Sequence, residues 1–264
     1  MIRVVAALTC ALVTSLPAAA MVGGAQPTTE GAGRAVVMLT GSRGTFCSGV
    51  ALARDLVLTA AHCVLPGATY KLIDFDAARQ PVLKDIADIA RHPDFDVNAV
   101  LRHRVTADVA LLKLAAPVKV APALLGPAGG AVAVGDRFVV AGYGVAVRGD
   151  GTSGGTVRAA TLVATGQPGT LQIRLADPAT KGERGGLGAC TGDSGAPVFR
   201  EIGGALAVVG VVSWSTGPAF SDGCGGLTGV TPLTRYRAWS WSKHERWARR
   251  FRPEADLNSL EWNP

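Results

Sequence analysis

The chain has 264 residues, 48% of them hydrophobic and 17% charged, and a formal charge of +6. That balance excludes a disordered chain, and the length fits one large domain or two small ones. Gly 34 and Pro 15 make it turn-rich, which favours many short strands over long helices.

In chain order, the first feature is a short basic start at Arg3 followed by the apolar run Val4 to Leu16. Pro17 breaks the run, and Ala18-Ala19-Ala20 offers the small residues a signal peptidase accepts. A membrane span needs roughly 20 apolar residues, so residues 1–20 read as a signal peptide. The mature chain expected is Met21 to Pro264, secreted or periplasmic, with no transmembrane segment. Cys10 leaves with the signal, while Cys47, Cys63, Cys190 and Cys224 remain for an oxidising compartment. Four cysteines allow three pairings, of which the nearest-neighbour one makes two local staples. A zinc site is disfavoured, because no C-x-x-C occurs and the histidines are scattered.

Strand-like runs follow at Ala35–Leu39, Gly49–Ala53, Leu56–Thr59 and Val109–Leu114, then at Arg137–Ala141, Thr161–Ala164, Leu171–Leu175 and Ala205–Trp214. They are short and rich in Val, Leu and Ile, which predicts an all-β sandwich or barrel. A Pro/Gly/Ala stretch, Ala121 to Gly130, divides them into units 21–125 and 126–234. The Gly-rich segment Gly149 to Gly155 lacks the lysine and the strand-to-helix setting of a phosphate cradle and reads as a surface loop. From Arg235 to Phe251 neither Gly nor Pro occurs. Tyr236, Trp239, Trp247 and Phe251 recur near helical spacing, which predicts a C-terminal helix docked by its aromatic face. Residues 252–264 read as a loose tail, so 235–264 is helix plus tail. The basic charge is read as a compositional habit, and no nucleic-acid partner is expected.

Three segments carry chemistry. Thr59-Ala60-Ala61-His62-Cys63 ends an apolar strand, Asp108 opens the strand Val109 to Leu114, and Gly192-Asp193-Ser194-Gly195-Ala196-Pro197 forms a tight turn. A serine hydroxyl is a poor nucleophile at neutral pH and needs an imidazole to take its proton. The imidazole needs a carboxylate to fix its tautomer and stabilise its charged form. His62, Asp108 and Ser194 supply those groups in that order, and the glycines let backbone N–H groups converge on an oxyanion.

These segments resemble the motifs TAAHC, D-x-A-L-L-x-L and GDSG-x-P of the trypsin/chymotrypsin family of serine peptidases. The resemblance runs from Met21 to about Arg250. It implies two six-stranded antiparallel β-barrels with a C-terminal helix, the site lying between the barrels. By resemblance, His62 is general base then acid, Asp108 orients it, Ser194 is the nucleophile, and the N–H groups of Gly192 and Ser194 form the oxyanion hole. Ser213 and Trp214 match the segment where substrate pairs as an added strand. The resemblance pairs Cys47 with Cys63 and Cys190 with Cys224. It places an ion pair between the freed amine of Met21 and Asp193, since Met21-Val22-Gly23-Gly24 stands at the family's mature start. Departures are Met21 itself, Ala196 for Gly, Tyr143 for Trp, and Ser215 for Gly.

The same resemblance makes Gly188 the floor of the primary specificity pocket and Ser215 and Gly229 its walls. An uncharged floor predicts cleavage after Leu, Met, Phe or Tyr rather than Arg or Lys, unless Asp222 reaches the pocket. Asp74 and Asp76 make a weak case for calcium and read as a solvated loop. The expectation is therefore a monomeric endopeptidase without cofactor or metal, its partners a polypeptide substrate and protein inhibitors. The alternative is a protease-like binding protein without turnover. An esterase is disfavoured, because Ala196 breaks the G-x-S-x-G elbow.

Overall fold

Short apolar runs between turns bury a sheet most completely when it closes on itself, which also removes its edges. In the computed structural model, which describes residues 21–251 except 77, 79, 128, 129 and 166–170, the chain does this twice. The expected signal peptide and the tail 252–264 lie outside the described residues.

The first barrel contains β1 (Val36–Gly41), β2 (Phe46–Ala53), β3 (Leu56–Thr59), β4 (Tyr70–Phe75), β5 (Pro81–Arg91) and β6 (Ala110–Leu114). They join antiparallel in the order β1-β2-β3-β6-β5-β4, and β4 closes on β1. The second contains β7 (Arg137–Gly142), β8 (Arg158–Ala164), β9 (Ile173–Ala176), β10 (Pro197–Ile202), β11 (Ala205–Ser215) and β12 (Leu227–Pro232). Its order, β7-β8-β9-β12-β11-β10 with β10 closing on β7, repeats the first. Leu39, Leu72, Leu112 and Val57 fill one barrel, and Phe138, Leu162, Leu175 and Val230 the other. A third cluster lies between the barrels and under the C-terminal helix, with Leu58, Leu111, Phe199, Val211, Tyr236 and Trp247.

Four barrel strands did not stand out as apolar runs. β5 buries only Ala90 and carries Lys84, Asp85, Asp88 and Arg91. β4 has half-buried Lys71 and Asp74, and β10 and β12 begin or end at proline. Proline at a strand terminus loses no ladder bond, so it marks a boundary here. The expected linker is fastened to both barrels: Ala123 N donates to Ala51 O, and Gly126 N to Val208 O, both at 2.8 Å. The loop around Gly149 to Gly155 is largely exposed, with a single turn at Gly151–Ser153.

Two helices occur among the described residues, α1 (Val97–Leu101) and α2 (Arg237–Phe251). α2 begins two residues after its expected start, behind a 3-10 turn at Leu233–Arg235. Tyr236 and Trp247 are buried, Trp239 packs beside them, and the Trp247 indole N–H donates to Asp88 Oδ2 at 3.0 Å. The side chain of Phe251 lies outside the described residues. No helix is long and apolar enough to cross a membrane, among the described residues.

Candidate active site

His62 sits in a 3-10 turn, Ala61–Val64, at the end of β3. The Cys47–Cys63 disulfide, with Cα atoms 6.2 Å apart, ties that turn to β2. Asp108 is fully buried just ahead of β6. Its carboxylate takes the His62 ring and backbone together: Nδ1 lies 2.8 Å from Oδ2, and the backbone N–H donates to Oδ1 at 3.0 Å. Two bonds to one carboxylate fix both the position and the rotation of the imidazole.

The second barrel adds a third. The register of β11 on β12 slips between Val212 and Trp214, so Ser213 is the bulged residue. A bulge re-aims a side chain. Here the Ser213 hydroxyl donates to Asp108 Oδ2 at 2.5 Å, across the barrel boundary.

Ser194 lies at the head of a turn that only glycines allow. Gly195 has φ +77°, and a Cβ there would overlap Thr59 Oγ1 and the Ser48 carbonyl. Gly192 has φ +95°, and a Cβ there would lie 2.5 Å from the Phe46 ring. Ser48 N donates to the Ser194 carbonyl at 2.8 Å, which brings the turn to the wall that carries His62. No hydrogen bond between Ser194 Oγ and His62 Nε2 occurs among the described residues, and such bonds are often long before substrate binds. The N–H groups of Gly192 and Ser194 likewise donate to no group among the described residues, whereas those of Asp193, Gly195 and Ala196 are all used. Two unengaged donors beside a half-buried serine can hold an anion.

Ser48 was not singled out in the sequence. It is fully buried, its hydroxyl donates to Gly192 O at 2.8 Å, and it accepts from Tyr143 N at 2.9 Å. Thr59 Oγ1 in turn donates to Ser48 O at 2.7 Å. Nothing in a lone serine after a cysteine signals these contacts.

Asp193 is buried, its carboxylate accepting from Gly144 N and Cys190 N, both at 2.9 Å. A Cβ at Gly142 or Gly144 would overlap that carboxylate, which explains glycine on both sides of Tyr143. Burial outweighs the two N–H bonds and pushes Asp193 up to about 7. Met21 is fully buried in the cluster that holds Ala189 and Ala196, and Val22 bridges Gly188.

The pocket residues are placed as follows. Gly188 donates to Val22 O at 3.3 Å, and a Cβ there would meet Gly225 Cα at 3.1 Å. Ser215 Oγ donates to Gly223 O at 3.3 Å. The Cys190–Cys224 disulfide joins the two sides, with Cα atoms 4.9 Å apart. Gly229 lies under the Trp214 ring, where a Cβ would overlap the indole. Thr228, next to it and missed in the sequence, is fully buried and accepts from Ala189 N at 3.0 Å. Asp222 is exposed.

Among the described residues, one group of side chains is spaced for a metal, Cys47, His62 and Cys63, and the disulfide occupies both sulfurs. Asp76 Oδ1 accepts the backbone N–H groups of Ala78 and Gln80, and Asp74 Oδ1 accepts that of Phe75.

The sequence profile named Trypsin matches residues 22–240. The chain is 30% identical to a vitellin-degrading protease of Bombyx mori over 227 residues, 80% of each chain. It is 28% identical to a trypsin of Phaedon cochleariae over 192 residues, 64% of this chain and 68% of that one. It is also 30% identical to transmembrane protease serine 9 of Rattus norvegicus over 186 residues, 65% of this chain and 17% of that one.

Proposed function

The chain belongs to the trypsin family and is a serine-type endopeptidase, and on that premise we propose that it cuts polypeptides through an acyl-enzyme on Ser194. The observation that carries this reading is the bonded series His62–Asp108–Ser213 beside two unengaged N–H donors.

In that reading Ser194 Oγ attacks the scissile carbonyl carbon as its proton passes to His62 Nε2. The Nδ1–H already donates to Asp108, so the imidazolium forms against a buried carboxylate. The carbonyl oxygen becomes an oxyanion between the N–H groups of Gly192 and Ser194. His62 returns the proton to the leaving amine, and water repeats the sequence on the ester. The retained donors and base argue against a binding protein without turnover.

The substrate chain pairs along Ser213–Ser215, with the residue before the cut in the pocket of Gly188, Ala189, Ser215 and Thr228. Those side chains are small and uncharged, and Asp222 is exposed, which supports preference for a large apolar residue. The disulfides support an oxidising location outside the cytoplasm. Activation follows release of the Met21 amine, which neutralises Asp193. Signal peptidase makes that cut, so export and activation are one event.

Fluorophosphonate labelling of Ser194 and a peptide-library cleavage profile test this reading together. Labelling without peptide turnover, or a profile dominated by Arg and Lys, would overturn the corresponding part.

A further inference from the structure

The α1 helix ends in a Schellman turn: His103 N donates to Val100 O at 2.9 Å, and Arg104 N to Ala99 O at 2.8 Å. The residue closing such a turn takes a left-handed conformation, which glycine adopts most readily. Here it is a histidine with φ +51°. A non-glycine residue held there costs about 1 kcal/mol, so its side chain should have a use.

That use is visible in the ring stacking. The His103 imidazole, from the first barrel, lies 4.8 Å from the Trp214 indole of the second, at an interplanar angle of 30°. Gly229 lies under the same indole. The guanidinium carbon of Arg174, on β9, is 6.0 Å from the ring centre. Arg174 is exposed and His103 half-buried, and no carboxylate pairs with either among the described residues. Arg102 and Arg104, the sequence neighbours of His103, are exposed and unpaired in the same sense. The indole is therefore largely covered, only 7% exposed. A substrate passing Trp214 meets an imidazole and a guanidinium, not an apolar ring face.

We propose that this stack is a subsite for acidic side chains, and that the enzyme selects polypeptides carrying Asp or Glu two to four residues before the scissile bond. This rests on the substrate path along Ser213–Ser215 proposed above. Trp214 follows Ser213, whose hydroxyl bonds Asp108, so residues N-terminal to the cut are the ones that pass this rim. A carboxylate there pairs with the Arg174 fork, whose Nε otherwise donates to Gln172 Oε1 at 3.4 Å, or with the imidazole N–H, and the surrounding arginines raise the on-rate for acidic segments.

The test uses the processed enzyme and fluorogenic peptides that share the residue it cuts after best and differ only in Glu, Gln or Lys at the preceding positions. Glu is expected over Gln by about two- to fivefold in kcat/KM at low salt, with Lys below Gln and the Glu preference shrinking in about 0.5 M NaCl. The ratio should fall towards one in the double variant His103→Gly, Arg174→Gln. His103→Gly suits the left-handed turn, so loss of folding does not confuse the result. A wild-type ratio of one, or a ratio undiminished in the double variant, overturns the subsite and leaves the endopeptidase reading intact, since the Gln peptide is still cut. Failure to cut any peptide, with Ser194 unlabelled by fluorophosphonate, overturns both.

Discussion

The Ser48 hydroxyl holds the Gly192 carbonyl at 2.8 Å across 144 positions of sequence. It fixes one side of the peptide that follows Gly192, while its second bond, from Tyr143 N, secures the neighbouring loop. Ser48→Ala leaves the buried Gly192 carbonyl without its hydroxyl donor, at about 1–3 kcal/mol, and removes the bond from Tyr143 N. Turnover should fall about tenfold with KM changed less than about twofold, because the donors act on the transition state. Equal changes in kcat and KM at constant stability would show that Ser48 is structural only.

Ser194→Ala, His62→Ala and Asp108→Asn should each reduce kcat by at least about 10³–10⁴-fold. The double change at His62 and Ser194 should cost little more than either alone, because the two act on one proton. Steady-state kinetics on a single peptide substrate decide this, and multiplicative losses would contradict the assignment.

Burial holds Asp193 at about 7, well above its ordinary 3.8. A chain extended before Met21 offers no amine there. Its folded state keeps a proton that the unfolded chain releases between those values, so its stability falls as pH rises from about 4 to 7. The form beginning at Met21, in which the proposed amine–Asp193 pair forms, should lose that decline. Thermal melts of the two forms across pH 4–8 make the comparison. The extended form, and Asp193→Asn, should also retain little activity.

Gly188→Asp should raise cleavage after Arg and Lys relative to Leu, by placing a carboxylate at the pocket floor. Its Cβ would press on Gly225 Cα at 3.1 Å, so total kcat/KM should fall as preference shifts. A competition assay with Arg and Leu peptides reads both effects.

His92 meets Tyr236 edge to face and Trp239 at a tilt, each with ring centroids at 4.9 Å. Burial lowers its pKa below 6.5, with Asp94 opposing in part. The folded chain thus binds fewer protons at this site than the unfolded one. The contribution is intact above about pH 6.5 and is lost as pH falls towards the lowered value. Protection factors of the α2 amides, taken against intrinsic exchange at each pH, should be lower at pH 5 than at pH 7.5, and His92→Phe should remove most of that difference.

The groups proposed as catalytic could be picked out in the sequence because each lies in a short contiguous motif. His62, Asp108 and the Ser194 turn were legible for that reason, as were eight of the strands whose burial makes apolar runs. The polar β5 was hidden, because a strand on an exposed wall keeps its charges. Ser48, Thr228 and His103 were hidden for another reason. Each takes its meaning from a residue far along the chain: Ser48 from Gly192, Thr228 from Ala189 and His103 from Trp214. Gly229, expected as a pocket wall, lies beneath the Trp214 indole, a neighbour that its sequence does not name.

The shared strand order of the barrels makes their connections correspond. The segment between the third and fourth strands carries His62 in one and Ser194 in the other, and that between the fifth and sixth carries Asp108 in one and the loop through Cys224 in the other. The chain is thus built as two copies of one plan, with the proposed base, His62, and the proposed nucleophile, Ser194, on equivalent loops. Such a layout separates what must be conserved from what can vary: the strands set the distance between copies, while each loop can lengthen or change its cargo independently. The first loop spans residues 60–69 and its counterpart 177–196, and that unequal growth has left barrel order unchanged.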